Sequence, residues 1–245
     1  MTTTSRLLIP ALAISALALP ACGASISFVL GEEEGSGVAE TTSFDVGDFT
    51  GVDIEDAFEA TVELADGATS VEVTVDDNFT DDLDVKVDDG VLKVDLDISS
   101  WRAEVRPTVV ISVPSLDLVH GSGAARIDVD GDLTDPDIEI AASGASRIDV
   151  SVDTESLSVD ASGASKVTVD GTTDSVTIDA SGASEIEFDD LTADSAQVDA
   201  SGASNVAIGE VGVVDGDLSG ASNLSVPNDA NVRVGTSGAS NVNRS

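Results

Sequence analysis

Residues 157–188 read LSVDASGASKVTVDGTTDSVTIDASGASEIEF, and this stretch decides the fold. The tetrapeptide Ser-Gly-Ala-Ser stands at 162–165 and again at 181–184. Between the copies apolar residues take alternate positions: Val167 and Val169, then Val176, Ile178 and Ala180. Asp, Thr and Ser fill the places between them. A period of two is the strand signature, because successive side chains of a strand point to opposite faces. No 3.6-residue period competes with it, and Gly, Asp and β-branched residues argue against helix.

Ser-Gly-Ala occurs seven times along the chain, with its glycine at Gly123, Gly144, Gly163, Gly182, Gly202, Gly220 and Gly238. The intervals are 21, 19, 19, 20, 18 and 18 residues. In all but the first copy the next residue is serine, from Ser146 to Ser240. A unit this short, with two strands and one apolar side, cannot bury that side alone, whereas stacked units can. The pattern predicts an all-β, single-stranded parallel β-helix (solenoid), one coil per repeat, with coils about 4.8 Å apart. Gly and Ala let the chain turn tightly at the corner. Stacked serine side chains can satisfy one another along the axis. Variable turns are expected at Asp130–Asp135, Asp170–Asp174 and Asp189–Asp194. A β-sandwich or barrel also uses many short strands, but neither needs one corner tetrapeptide at near-constant spacing.

Residues 41–120 alternate more weakly. Leu83-Asp84-Val85-Lys86-Val87 and Val91-Leu92-Lys93-Val94 flank Asp89-Gly90, a hairpin signal. The organisation expected is a leader at 1–21, an acidic, glycine-rich tether at 22–40, and one β-helix domain at 41–245. Within that domain 41–120 supplies irregular first coils and a cap, and 121–245 the repeats. The final repeat is followed only by Asn241-Val242-Asn243-Arg244-Ser245, so an open coil end is expected, with either end-to-end self-association or blunting by Asn and Arg.

The leader places Arg6 before an apolar run from Leu7 to Leu19, then Leu19-Pro20-Ala21-Cys22. The run has the length of a signal-peptide core and is short for a membrane span. Leu19-Pro20-Ala21-Cys22 resembles a bacterial lipobox, which implies cleavage before Cys22 and its lipidation. The mature chain is then exported and lipid-anchored at the outer face of a bacterial membrane. Cys22 is the sole cysteine, so no intramolecular disulfide can form.

Phe49-Thr50-Gly51-Val52, Asp89-Gly90-Val91-Leu92-Lys93-Val94 and Val113-Pro114-Ser115-Leu116-Asp117-Leu118-Val119, followed by Gly121-Ser122-Gly123 and serial SGAS units, carry a family resemblance. Over residues 41–242 the chain resembles the auto-transporter adhesin head, or GIN domain. The resemblance implies a right-handed β-helix outside the cytoplasm and supplies no catalytic residues.

Composition limits the chemistry. The chain has 47 Asp plus Glu against 10 Lys plus Arg, a formal charge of −37, so nucleic acid is excluded as a partner. One His and one Cys cannot build a zinc site of the usual kind. His120 reads as a turn-edge residue beside the first corner, since no Gly-x-Ser-x-Gly elbow accompanies it. Asp160, Asp179, Asp199 and Asp217 each stand two residues before a motif, and in-register coils make them an outward column. Such a column is a solvated acidic face that can hold calcium weakly; no cofactor is expected otherwise. After the motif, Arg126, Arg147 and Lys166 give way to Glu185, then to Asn205, Asn223 and Asn241, which can form an amide ladder.

The function these features point to is a non-enzymatic, lipid-anchored surface module for adhesion or envelope interactions, with envelope or host glycans or proteins as partners. The alternative is a polysaccharide-active β-helix enzyme, a lyase or glycoside hydrolase using surface carboxylates. It requires a cleft with basic and aromatic groups, and Trp101, Arg102 and Arg106 are the one such cluster in sequence.

Overall fold

The computed structural model describes residues 33–67, 69–98 and 100–244. The apolar leader and Cys22 lie outside the described residues.

Among the described residues, the first half of the chain forms nine strands. They are β1 (Glu33–Glu34), β2 (Ala39–Phe44), β3 (Gly51–Ile54), β4 (Glu59–Leu64), β5 (Ser70–Asp76), β6 (Leu83–Asp88), β7 (Val91–Leu96), β8 (Trp101–Arg102) and β9 (Thr108–Val113). The second half continues as β10 (Leu118–Gly121), β11 (Arg126–Leu133), β12 (Asp137–Ala142), β13 (Arg147–Ala161), β14 (Lys166–Ala180), β15 (Glu185–Ala200) and β16 (Asn205–Leu218). It ends in β17 (Asn223–Val226), β18 (Asn231–Thr236) and β19 (Asn241–Arg244). The result is a β-solenoid of about seven turns, as the repeats predict.

From β10 to β17 each strand pairs in parallel with a coil on either side, and β18 and β19 with the coil before them. Equivalent repeat positions meet: Ile148 with Val167, Val159 with Ile178, Asp160 with Asp179. Register is held by hydrophobic alternation, since a slip of one residue would turn every apolar side chain outward. Ile148, Val167, Ile178, Ile186 and Val198 are accordingly at most 1% exposed.

The corner explains the motif. Gly163 and Gly182 have φ of 73° and 74°, a left-handed conformation that L side chains resist. A Cβ on Gly182 would also lie 2.5 Å from the Gly163 carbonyl oxygen one coil away. That space is used by a hydrogen bond: Ala183 N donates to Gly163 O, and Ala164 N to Gly144 O, each at 2.7 Å. The ladder of coil-to-coil bonds therefore passes through the corner unbroken.

The motif serines behave differently from the expectation. Ser146, Ser165, Ser184, Ser204 and Ser222 point inward and are at most 1% exposed. They do not bond one another, because a coil spacing of about 4.8 Å exceeds a hydroxyl hydrogen-bond distance of about 2.7 Å. Ser204 and Ser222 donate instead to the carbonyls of Ser201 and Ser219, the first residue of their own motif, at 2.7 and 2.9 Å. The Ser146, Ser165 and Ser184 hydroxyls have no partner among the described residues.

Two of the expected turns are also absent. Only the first, between Leu133 and Asp137, interrupts a strand; β14 and β15 run through theirs. Register shifts between Thr168 and Gly171 and between Phe188 and Thr192 absorb the length differences as bulges. Leu191 and Ala193 consequently join the core, at 0% and 4% exposure.

The N-terminal half stacks out of chain order. The β3–β4 coil is flanked on one side by β7 and β9 and on the other by β10 and β11, all parallel to it. Between β4 and β7 the chain leaves the stack. β5 runs antiparallel to β9 and to β2, and β6 forms a hairpin with β7. The hairpin turns at Asp89 and Gly90, whose φ values of 49° and 81° suit a type I′ turn. A short 3-10 turn, Asp77–Asp82, buries Phe79, and Trp101 packs edge-on against that ring at 6.0 Å. Trp101 thus covers the flank of the first coils.

The acidic segment around Glu33–Glu40, expected to be solvated tether, is instead bound to the domain. β1 pairs with β8. Asp76, fully buried, accepts from the backbone N–H groups of Gly37, Glu104 and Val105 at 2.7, 3.0 and 3.0 Å. Asn78 Nδ2 donates to the Glu34 carbonyl at 3.1 Å and its Oδ1 accepts from Ser36 N at 2.8 Å. Composition alone marks this segment as linker; the fixed donors and acceptors that hold it belong to residues some forty positions away.

Candidate functional site

The outer face that precedes the corner carries the aspartates. Asp160, Asp179, Asp199 and Asp217 face one another in register through β13, β14, β15 and β16. They line a shallow groove of about 530 Å³ together with Ser162, Ser181 and other motif-first serines. Burial, followed by the like charges of Asp160 and Asp199, raises the Asp179 carboxyl above the ordinary carboxylate range. Asp217 N donates to Asp199 Oδ1 at 3.2 Å. The side chains are arrayed in a line rather than converging. Among the described residues no group of three His, Cys, Asp or Glu could hold a metal ion.

The column continues toward the N-terminal end with other residues. Asp160 faces Ala141, which faces His120; His120 faces Asp53, and Asp53 faces Lys93. His120 therefore lies within β10 rather than at a turn edge, because Ser122 and not His120 opens the corner. Its Nδ1 lies 2.9 Å from Asp53 Oδ1. Contact with that carboxylate raises the imidazole above its usual range against the effect of partial burial. The Asp53–His120 pair has no local signal in sequence, since the two residues meet only through out-of-order stacking.

One coil corner has also lost its motif. Where later coils have glycine, the β3–β4 coil has Asp56, at φ 57°. Its backbone carbonyl accepts from Ala124 N, the bond that glycine carbonyls accept elsewhere. Its carboxylate accepts from Leu96 N at 3.2 Å. Burial, then a hydrogen bond with Asp95, lifts the Asp56 carboxyl to about 6.

On the face after the corner, the column Glu59, Arg126, Arg147, Lys166, Glu185, Asn205, Asn223, Asn241 is in register throughout. Arg126 pairs with Glu59 at 3.5 Å, and Lys166 with Glu187 and, at 3.6 Å, Glu185. The amide ladder has one rung, Asn223 Nδ2 donating to Asn205 Oδ1 at 3.0 Å. Asn241 donates within its own strand to Asn243, at 2.7 Å.

At the N-terminal start of this column lies a second concavity, of about 480 Å³, lined by Trp101, Pro107, Arg106, Arg126, Glu59 and Glu104 among others. Of the expected aromatic–basic cluster Trp101 and Arg106 line it and Arg102 does not, while Arg126 and Glu59 join from separate coils.

These features define a solenoid whose polar groups form columns along its flanks. The family model that matches residues 48–230 is described as putative auto-transporter adhesin, head GIN domain, and the chain belongs to this family. Among solved structures it is similar to a putative adhesin from Bacteroides fragilis, with a TM-score of 0.77 and 19% identity, covering 86% of this chain and 99% of that one. It is also similar to a putative lipid binding protein from Parabacteroides distasonis, with a TM-score of 0.72 and 19% identity, covering 88% and 100%. A putative adhesin from the same organism gives 0.65 at 18% identity, covering 88% and 100%. At these identities the likeness is one of fold. No curated protein matches the chain.

Proposed function

We propose that the chain is an exported, non-enzymatic surface module, anchored through lipidated Cys22, that presents its solenoid flanks for adhesion or envelope interactions. The observation that carries this reading is the columnar display of like residues along the coils. Columns such as Asp160 to Asp217 offer a repeated surface to a repeated partner. Catalysis asks for the opposite arrangement, an acid and a base converging on one bond. Family membership and the adhesin names of the fold neighbours agree with this reading.

Cys22→Ala should move the protein from the membrane fraction to the soluble exported fraction. Cells lacking the chain should attach less to envelope or host surfaces than cells carrying it. Unchanged attachment would overturn the reading. The acidic flank is proposed to gather divalent cations diffusely, since its four aspartates stand in register along neighbouring coils.

A further inference from the structure

The concavity at Trp101 differs from the rest of the surface in its chemistry. In a chain of 47 acids and 10 bases, its charged lining is balanced: Arg106 and Arg126 against Glu59 and Glu104. Glu59 sits between the two guanidiniums, in close contact with Arg106 Nη1 and 3.5 Å from Arg126 Nη1. Each guanidinium has five N–H donors in a fixed planar fork. One shared carboxylate engages a minority of them. The two Arg side chains are 65% and 62% exposed, so the remaining donors are open to a ligand.

Trp101 gives the concavity an aromatic wall, steadied from another side by the buried Phe79 ring. The small corner residues Ala57 and Ala124 keep it open. An indole face accepts the apolar face of a sugar ring, and planar carboxylate and guanidinium groups pair with its hydroxyls. A guanidinium pair adds a preference for a carboxylate, which it can grip through parallel N–H bonds. Arg147 and Lys166 extend the basic column by two coils beyond Arg126. The acids elsewhere act over a screened range, about 8 Å at physiological salt.

We propose that this pocket binds an acidic saccharide of the uronic-acid class, with a sugar ring against Trp101 and its carboxylate held by Arg106 and Arg126. The proposal rests on the reading of the flank as a surface for envelope or host partners and gives that partner a chemistry and a place.

The chain has one Trp and no Tyr, so its fluorescence reports on the pocket directly. The test is titration of the full chain, carrying Cys22→Ser, with oligogalacturonate, followed by Trp101 emission and by calorimetry. Saturable binding is expected, weakened by at least about tenfold in Arg106→Ala/Arg126→Ala. Trp101→Phe, which keeps a ring, should bind less tightly by calorimetry while circular dichroism is unchanged. Arg233→Ala, an exposed arginine paired with Asp215, should bind as the parent does. Equal affinity in the double variant would overturn the site. A neutral cello-oligosaccharide bound as tightly as the acid would overturn the ligand class. Absence of oligogalacturonate binding alongside normal attachment of wild-type cells would overturn this inference and leave the adhesion reading standing. Attachment unaffected by removal of the whole chain would overturn the adhesion reading instead.

Discussion

The SGAS coils and the β3–β4 coil solve one problem with different residues. Each must turn its corner through a left-handed backbone and pass a hydrogen bond to the next coil. The repeats use glycine with a neighbouring glycine carbonyl directly below, leaving no room for a Cβ. The β3–β4 coil uses Asp56, whose neighbour toward the N-terminal end is the long passage from β7 to β9 rather than another tight corner. Asp is among the few L residues that tolerate this conformation, and its side chain bonds Leu96 N. The glycine requirement therefore comes from close stacking as much as from the turn.

The contrast predicts its own largest effect. Gly182→Ala adds both a strained φ and a clash with the Gly163 carbonyl, and should destabilise the protein by about 3 kcal/mol or more in urea unfolding. Asp56→Gly relieves the strained φ but forfeits the bond to Leu96 N, so it should change stability far less. A similar loss at both corners would break the comparison.

Next in size is Asp76→Ala, which leaves the Gly37, Glu104 and Val105 N–H groups without their acceptor. A loss of about 2–3 kcal/mol is expected, with protease cleavage near residues 33–40 as the first visible change. Such cleavage without global unfolding would show that the N-terminal segment is an independent clasp.

Asp56 also gives the β3–β4 coil a pH dependence that glycine corners lack. Its folded pKa, about 6, lies above the ordinary 3.8, so the folded state holds a proton that the unfolded state releases in between. Its contribution is complete below about pH 4 and is lost as pH rises through 6. With the group only partly buried and solvent screening discounted, the effect should be about 1 kcal/mol. His120 acts in the same direction: its raised folded pKa stabilises below the unfolded value and ceases to do so as pH rises through the folded one. Asp56→Asn should flatten the difference between urea midpoints at pH 4 and pH 7; an unchanged difference would place the titration elsewhere.

The smallest effect belongs to the acidic column. Millimolar calcium should raise the thermal midpoint slightly, by screening repulsion of less than about 1 kcal/mol per pair. Asp179→Ala/Asp199→Ala should reduce that rise. An equal rise in the variant would remove the column from the effect.

Local and periodic features were legible before the structure. Seven recurring glycines imply stacked coils, alternation identifies Ile148 or Val167 as core, and Asp89-Gly90 marks its hairpin. The Asp160 to Asp217 column also follows from the spacing once in-register stacking is assumed. What escaped depends on partners far apart in the chain. Asp56 lacks the glycine that marks a corner, and Glu33–Gly37 carries a linker's composition while its acceptors lie at Asp76 and Asn78. Arg126 and Glu59 join the Trp101 concavity only because β4 stacks beneath β11. Periodicity identifies the faces of a strand, but it cannot say which earlier strand will lie beside it.

That stacking order has a consequence for how the chain matures. The strands beside β3 and β4 are β7, β9, β10 and β11, all made later than the coil they enclose. As the polypeptide emerges N-terminus first, residues 51–64 gain neighbours on one side with β7 and β9, and on the other only when the chain has grown to about Leu133. The regular coils beyond can each settle upon the one just completed. The β3–β4 coil is therefore closed on both sides by strands made after it, whereas each regular coil needs only a predecessor already in place.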